Sequence, residues 1–314
     1  MKTVGFHSNQ LGIRGTEVAL YDYALYNEEI LGNKSYIISN ANAELATLKK
    51  FQNRFEVFLY NNFEECYQSV KDKGIEYVYY IKAGDNDGKV IPGVKNAIHA
   101  VFQNKDVHGD SYAYVSKWLA EQMRMNEQYV PHIVYLPEPK KNYKEKLNIP
   151  ESNIVIGRYG GYNDFDLPFV YKAIEEVLRQ RNDITFLFMN TRPFISSNPN
   201  VVYVEGTYNL QNKADFINTC DYMIHARQHG ESFGLAICEF LFNDKPVISW
   251  KNGLDKHHIS LLNERGILYE NQQDLCSVLT RLKKPTHTKG FYKELVKEFS
   301  PKQVMKRFDQ IFLK

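Results

Sequence analysis

Two glutamates stand on either side of an apolar run in the segment HGESFGLAICEF, residues 229 to 240. Glu231 lies in a glycine-flanked stretch, and Glu239 follows eight residues later. A carboxylate in a loop can accept hydrogen bonds from sugar hydroxyls, and a second one more than a helical turn further on can bind a hydroxyl pair such as that of a ribose. The alternative is that both acids are simply solvated. Glu239 argues against it, because an unpaired carboxylate among apolar residues costs free energy.

The apolar run predicts a helix that begins at Ser232 or Phe233, after a turn framed by Gly230 and Gly234. The first amides of a helix have no intrahelical partner and lie at its positive end. The amides up to Leu235 therefore favour an anion such as a diphosphate.

A second glycine-containing loop, NQLGIRGTEVAL at residues 9 to 20, follows the first apolar segment. Gly12 and Gly15 allow the backbone to approach a ligand closely, and Thr16 and Glu17 open the helix that comes next. We expect this loop to contact an acceptor or a phosphate group. Because the spacing is not GxGxxG, a tight strand-to-helix turn without a ligand is the alternative.

Strand-like and helix-like segments alternate along the chain, which predicts an α/β protein with parallel sheets and right-handed crossovers. In the first half the predicted strands are TVGFHS, SYIIS, FEVFLY, EYVYYI, NAIHAVF, YAYVS and HIVYLP. In the second half they are NIVIGRYG, ITFLFMN, VVYVEG, YMIHA, PVISW and GILYE. The first helix, TEVALYDYALYNEEIL, is expected to have Val18, Tyr21 and Leu25 on one face. Ligands bind such sheets beyond the carboxyl ends of their strands, so both glycine loops are well placed.

The segment from residue 137 to 152 is rich in proline and charge and predicts a linker between two domains. We place one Rossmann-like domain at residues 1–137 and a second at residues 138–300. Residues 301–314 predict a docked helix with Ser300 as its cap. Its apolar face needs a partner surface and its basic face can stay solvated. These faces consist of Val304, Phe308 and Ile311 and of Lys302, Lys306 and Arg307.

Composition limits the partners of the chain. Its 314 residues carry a net charge of +2, which gives no general electrostatic reason to bind nucleic acid or an anionic membrane. The four cysteines form no CxxC pair, so neither a metal knuckle nor a disulfide framework is predicted. The N-terminal residues do not resemble a signal peptide, and no apolar run reaches roughly 18 to 20 residues. We expect a cytoplasmic protein with at most peripheral membrane contact.

The segment GESFGLAICEF resembles the E-x7-E donor motif of retaining GT-B glycosyltransferases, especially family 4. LGIRGTEVALYDYA is similar to their glycine-rich N-terminal loop, YAYVSKWLAE to the strand and helix near the end of their N-domain, and VIGRYGG to their strand with a phosphate-binding arginine. The resemblance extends over most of the chain. It implies two Rossmann-like domains facing a central cleft, the first for the acceptor and the second for the nucleotide-sugar donor. It also implies a last helix that packs back on the N-terminal domain.

The same resemblance implies roles for individual residues. Glu231 would hold the transferred sugar, Glu239 the ribose and Arg158 the diphosphate. A lysine that usually follows this arginine is absent, because the chain has GGYNDFDLP there. Arg227 or Arg192 would then supply the missing positive charge, with a structural salt bridge as the alternative for Arg192.

Histidines complete the candidates. His99, in NAIHAVF, falls where these enzymes often have a histidine close to the sugar and the acceptor, and it is our catalytic candidate beside Glu231. A core position is the alternative for a histidine in an apolar strand. His108 and His229 are rivals, and Asp255 and His258 in GLDKHHI rank behind them.

The reaction implied is transfer of a sugar from a nucleotide-diphosphate donor to a hydroxyl acceptor, such as a glycan or a lipid- or protein-linked sugar, with retention. No metal and no cofactor are expected, because arginines and helix amides would do the electrostatic work. Two other functions stay open. One is a GT-B sugar-nucleotide epimerase or hydrolase, and the other is a catalytically weak protein that binds nucleotide sugars or glycans.

Overall fold

The computed structural model describes residues 1–12 and 15–314. They form two compact units, Met1–Ile133 with Glu298–Lys314, and Val134–Lys297. The expected boundaries at residues 137 and 300 lie within four residues of these divisions. Each unit is built around one six-stranded parallel sheet, so the predicted class of two Rossmann-like α/β domains is confirmed. Among the described residues, no helix is both long enough and apolar enough to cross a membrane.

The first unit has the sheet order β3-β2-β1-β4-β5-β6. Its strands are β1 Thr3–Ser8, β2 Lys34–Asn40, β3 Glu56–Tyr60, β4 Tyr77–Lys82, β5 Lys95–Ala100 and β6 Ser111–Tyr114. Its helices are α1 Gly15–Glu29, α2 Leu45–Gln52, α3 Cys66–Asp72, α4 Lys117–Gln122 and α10 Pro301–Phe312.

The second unit has a sheet of order β14-β12-β10-β7-β8-β9 and a two-stranded sheet of β11 and β13. Its strands are β7 Ile154–Tyr159, β8 Ile184–Met189, β9 Val201–Val204, β10 Tyr222–His225, β11 Gly230–Glu231, β12 Val247–Trp250, β13 Asp255–Lys256 and β14 Ile267–Tyr269. Its helices are α5 Pro168–Leu178, α6 Leu210–Thr219, α7 Leu235–Phe242, α8 His257–Leu262 and α9 Gln272–Arg281.

Unbroken apolar runs explain the central strands. Strands β4, β7 and β8 are buried along their whole length. A parallel sheet covered by helices on both sides needs apolar residues on both faces, so its strands show continuous rather than alternating hydrophobicity. The sheet order also fixes the switch point, which is the place in the sheet where the strand order changes direction. In the first unit this switch lies between β1 and β4, and in the second between β7 and β10.

Two local predictions were wrong. Helix α1 buries Ala19, Leu20, Tyr23 and Ala24, whereas the predicted face of Val18, Tyr21 and Leu25 is only half-buried. Apolar and aromatic residues occur all around this helix, so periodicity alone selected the wrong stripe. The segment HIVYLP is largely buried but forms no strand. Its apolar pattern reflects burial, and only an isolated bridge between Tyr114 and Tyr129 precedes it.

Helix α10 packs on the sheet of the first unit. The ring of Phe308 lies 5.1 Å from that of Tyr79 and 5.2 Å from that of Tyr23, measured between centroids. Val304, Met305 and Phe312 are also buried, while Ile311 is half-buried. Ser300 occupies the cap position without a side-chain cap hydrogen bond. Arg307 is not simply solvated as expected, because it stacks 3.6 Å from the Tyr129 ring centroid and donates to the Tyr129 carbonyl.

Candidate functional site

The switch point of the second unit brings charged residues of the sequence motif to one edge of the sheet. Arg158 and Tyr159 end β7, and His225 ends β10. The loop after β10 leads through β11 into α7, which begins at Leu235, two residues later than Phe233. Gly234 caps this helix with φ 81°, in the left-handed region that favours glycine. The half-buried Ser232 and the buried Phe233 therefore precede the helix rather than start it.

Glu231 is held from both sides. Its Oε1 lies 3.3 Å from Nε2 of His225, and Oε2 lies 3.1 Å from Nη1 of Arg227. Burial by itself would raise the pKa of the Glu231 carboxyl, but the hydrogen bond from His225 and the charge of Arg227 bring that pKa to about 2. The carboxylate is thus ionised and fixed in orientation.

The backbone under Glu231 explains the glycines around it. Strand β11 pairs in parallel with β13, Gly230 opposite Asp255. Gly230 has φ 74°, and a Cβ atom built there would lie 2.1 Å from the Asp255 carbonyl oxygen. Only glycine allows the two strands to approach this closely. This small sheet, which the sequence did not predict, sets the position of Glu231.

Arg158 is buried at the end of β7. Its Nη1 donates to Thr191 Oγ1 at 2.6 Å and to the Asn190 carbonyl at 3.2 Å, and its Nη2 donates to the Gly161 carbonyl at 2.9 Å. Burial lowers the pKa of the Arg158 guanidinium to about 10, so it remains a cation at neutral pH. The diphosphate role stays a prediction for this group.

The acids in GGYNDFDLP have partners in the loop after β10. Asp164 Oδ2 lies 3.8 Å from Nε of Arg227, and Asp166 Oδ1 accepts a hydrogen bond from the Gln228 amide at 2.7 Å. Where the family resemblance implies a lysine, this chain therefore has carboxylates that fasten the Arg227 loop. Arg192 is exposed just after β8, and its backbone amide donates to the carbonyl of Tyr162 in the same segment at 2.9 Å.

Glu239 is enclosed by two groups. Lys213, in the first turn of α6, approaches its Oε1 to 2.6 Å, and the Tyr159 hydroxyl donates to Oε2. The side chains of Lys213 and Glu239 are only 9% and 3% exposed. Sequence reasoning missed Lys213, because nothing in NLQNKADF marks it as buried. Among the described contacts, those of Glu239 tie α7 to α6 and to the end of β7, and its predicted ribose contact stays a prediction.

The predicted histidine of the first unit lies in the core. His99 is fully buried in β5, accepts from the Tyr79 hydroxyl at Nδ1 (2.6 Å), and donates from Nε2 to the Val130 carbonyl (2.9 Å). Burial also lowers the pKa of His99 to about 3. Both ring nitrogens are engaged, so as placed here His99 has none left for a substrate.

The rival histidines lie elsewhere. His108 is half-buried, and its Nδ1 bonds the Asp106 carbonyl at 2.7 Å. Nε2 of His229, which lies two residues before Glu231, is 3.2 Å from Oδ2 of the buried Asp255. His258 is buried, with its ring centroid 4.7 Å from that of His225.

The glycine loop of the first unit follows β1 at the other switch point. Glu17 is buried in the first turn of α1 and accepts from Ser8 Oγ at 3.3 Å. Gly15 and Thr16 start the same helix, and Gly12 is half-buried. Residues 13 and 14 of this loop lie outside the described part of the chain. Within that part, no group of three or more His, Cys, Asp or Glu side chains could hold a metal ion.

Comparison with known proteins identifies the fold. No protein-family model matches the sequence, and no curated protein matches it. The structure is similar to that of HepE from Anabaena in complex with UDP and glucose, with a TM-score of 0.74, 13% identity and 99% of each chain covered. Another HepE structure contains UDP-glucose.

Two further structures are similar over nearly the whole chain. WaaG, a glycosyltransferase involved in lipopolysaccharide biosynthesis, gives a TM-score of 0.64 and 13% identity over 98% of this chain and 99% of its own. A Listeria monocytogenes protein described as a UDP-N-acetylglucosamine 2-epimerase gives a TM-score of 0.60 and 11% identity over 94% of this chain and 94% of its own. With its two parallel six-stranded sheets, the chain has the GT-B fold of two Rossmann-like domains.

Proposed function

We propose that this protein is a glycosyltransferase that moves a sugar from a nucleoside-diphosphate sugar to a hydroxyl acceptor. The observation that carries the proposal is the fixed, ionised Glu231 beside Arg227 and the start of α7, at the switch point of the second sheet. A carboxylate that can accept from sugar hydroxyls, the nearby Arg158 cation and the first amides of a helix together match a sugar diphosphate. Because HepE was solved with UDP-glucose, this is the first donor to test.

The residues have separate tasks in this proposal. Arg158 and the amides of Leu235 and its neighbours stabilise the negative charge of the leaving diphosphate. Glu231 orients the sugar through a hydroxyl group. The bond between the anomeric carbon and the diphosphate oxygen breaks while the acceptor oxygen bonds to the same carbon, and the acceptor proton passes to the departing phosphate. Because the acceptor bonds from the face that the diphosphate leaves, this route gives retention without a protein nucleophile and without a metal. Chelation with EDTA should leave the rate unchanged.

Ligand binding to the folded state raises the melting temperature, so a thermal-shift screen with UDP, UDP-glucose and other nucleotide sugars is the first experiment. A sugar transferred to an added glycan should then appear as product. Glu231→Ala should weaken the binding of UDP-glucose but not that of UDP. Glu175→Ala, on the exposed side of α5, is the matched control and should change the binding of neither ligand. Equal binding of UDP-glucose by the Glu231 and Glu175 variants would contradict the proposal.

An epimerase or hydrolase is the second candidate, because one similar structure is described as an epimerase. Incubation with nucleotide sugar alone separates the two functions. An epimerase changes the sugar and a hydrolase releases it without an acceptor. A transferase leaves most of the donor intact until the acceptor is added.

A further inference from the structure

The ring of His225 lies between a hydroxyl and the Glu231 carboxylate. Its Nδ1 is 3.0 Å from Ser249 Oγ on the neighbouring strand, and its Nε2 is 3.3 Å from Glu231 Oε1. We propose that His225 is a positioning residue that orients Glu231 for the donor sugar. This inference rests on the proposed function.

The direction of the hydrogen bond between His225 and Glu231 follows from the ionisation of Glu231. A carboxylate can only accept, so Nε2 must carry a proton and donate to Oε1. The other ring nitrogen, Nδ1, lies 3.0 Å from Ser249 Oγ, and that hydroxyl donates to the Trp250 carbonyl at 3.4 Å. The Tyr269 hydroxyl also donates to the His225 carbonyl at 2.8 Å, which fixes the backbone below the ring. The contacts at both ring nitrogens and at the carbonyl therefore fix the orientation of the ring.

Exposure distinguishes a positioning role from direct contact with a ligand. The Glu231 side chain is 21% exposed, whereas that of His225 is 7% exposed. A sugar hydroxyl can reach the outer edge of the carboxylate, but the imidazole lies behind it. His225 thus acts through Glu231.

The groups around His225 prevent other arrangements of the pair. Arg227 holds the second oxygen of Glu231, so the carboxylate is gripped at both oxygens. His258 packs against the imidazole with 59° between the ring planes, and it is buried. A ring confined in this way cannot swing away without disturbing α8 as well. A fixed carboxylate loses less conformational entropy when it binds a hydroxyl.

Two substitutions separate the two ring nitrogens. In His225→Gln the amide nitrogen can take the place of Nε2 and still donate to Glu231. In His225→Asn the shorter amide reaches only the place of Nδ1, so the bond to Ser249 can persist and the bond to Glu231 is lost. Ser249→Ala tests the contact between His225 and Glu231 indirectly, by removing the hydroxyl that fixes the ring. This variant replaces His225→Asn in the experiment if the asparagine variant does not fold.

The readouts are dissociation constants for UDP and for UDP-glucose, together with kcat and KM for transfer. We expect His225→Asn to weaken the binding of UDP-glucose roughly tenfold or more, because the lost hydrogen bond is to a charged group. The variant should also lower kcat, while UDP binds as it does to the parent. His225→Gln should restore most of the affinity. In a Glu231→Ala background, His225→Asn should have no further effect on UDP-glucose binding.

Three results would overturn the inference: parent-like UDP-glucose binding by His225→Asn, equal weakening of UDP and UDP-glucose, or an undiminished effect in the Glu231→Ala background. The first and third show that His225 does not act through Glu231, and the second shows general damage to the site. If the parent protein binds no nucleotide sugar, the proposed function falls and this inference falls with it. If the parent transfers sugar and the variants behave like it, only the inference about His225 fails.

Discussion

Replacing Lys213 with methionine tests whether the buried ion pair with Glu239 holds the second unit together. Methionine has a similar length but no charge. Among the described contacts, the variant leaves the Glu239 carboxylate in the interior with only the Tyr159 hydroxyl as partner. The 2.6 Å contact is enclosed, with the two side chains 9% and 3% exposed. The relevant energy scale is therefore that of a broken buried pair, about 3–5 kcal/mol, and not the about 0–1 kcal/mol of a surface pair.

The expected change in melting temperature follows from that energy. The unit Val134–Lys297 has about 160 residues, and for a domain of this size 1 kcal/mol corresponds to roughly 2–4 °C. Lys213→Met should therefore lower the melting temperature of this unit by roughly 6–20 °C. Adding Glu239→Gln removes the uncompensated charge, so the double variant should recover most of the loss.

Tryptophan fluorescence can follow this unit separately. The chain has two tryptophans, Trp118 in the first unit and Trp250 in the second. In a Trp118→Phe background the signal comes from Trp250 alone. Lys251→Met removes an exposed pair with Glu270 and serves as the control. The reasoning would be refuted if Lys213→Met lowered the melting temperature no more than the control does. It would also be refuted if the double variant Lys213→Met, Glu239→Gln were as unstable as Lys213→Met alone.

Four further outcomes are expected. Arg158→Ala should weaken UDP binding roughly tenfold or more, through lost charge-assisted hydrogen bonds, in a calorimetric titration. Gly230→Ala should destabilise the protein to denaturant, because a Cβ there meets a carbonyl oxygen at 2.1 Å, whereas Gly32→Ala, with open space around it, should cost only about 1 kcal/mol. Phe308→Ala should cost about 3–5 kcal/mol of unfolding free energy in the first unit. Burial lowers the pKa of His258 to about 3, so the unfolded chain binds a proton that the folded one does not, and stability measured by denaturation should fall as the pH drops from about 6.5 towards 3.

The strands of the two six-stranded sheets, and their succession along the chain, were within reach of sequence reasoning. Apolar runs such as NIVIGRYG and ITFLFMN correspond to buried strands, because a parallel sheet requires apolar residues on both faces. The GESFG segment also indicated a loop leading into a helix. The pattern could not predict which side of a helix faces the sheet. Helix α1 carries apolar residues on several sides, and the correct stripe depends on the sheet it packs against.

Contacts between distant residues were the larger gap at the site. Lys213 and Glu239 are 26 positions apart, and they meet only because α6 and α7 pack side by side at the end of β7. The burial of His99 likewise depends on groups far along the chain, namely Tyr79 and the Val130 carbonyl. Local sequence contains neither partner. His225, in contrast, could have been noticed, because it is the last strand residue before the motif.

The charges at the switch point bear on the lysine that the family resemblance implies and that this chain lacks. Arg227 is bracketed by Glu231 at 3.1 Å and Asp164 at 3.8 Å, so its charge is largely balanced before any ligand is considered. A balanced arginine attracts a diphosphate weakly, and its main effect is to hold the carboxylate. Arg158 is bonded instead to two carbonyls and a hydroxyl, and Asp164 and Glu231 act on its charge without a direct ion pair among the described contacts. The electrostatic attraction for a diphosphate should therefore come from Arg158 and the start of α7, while Arg227 and His225 hold Glu231 towards the sugar.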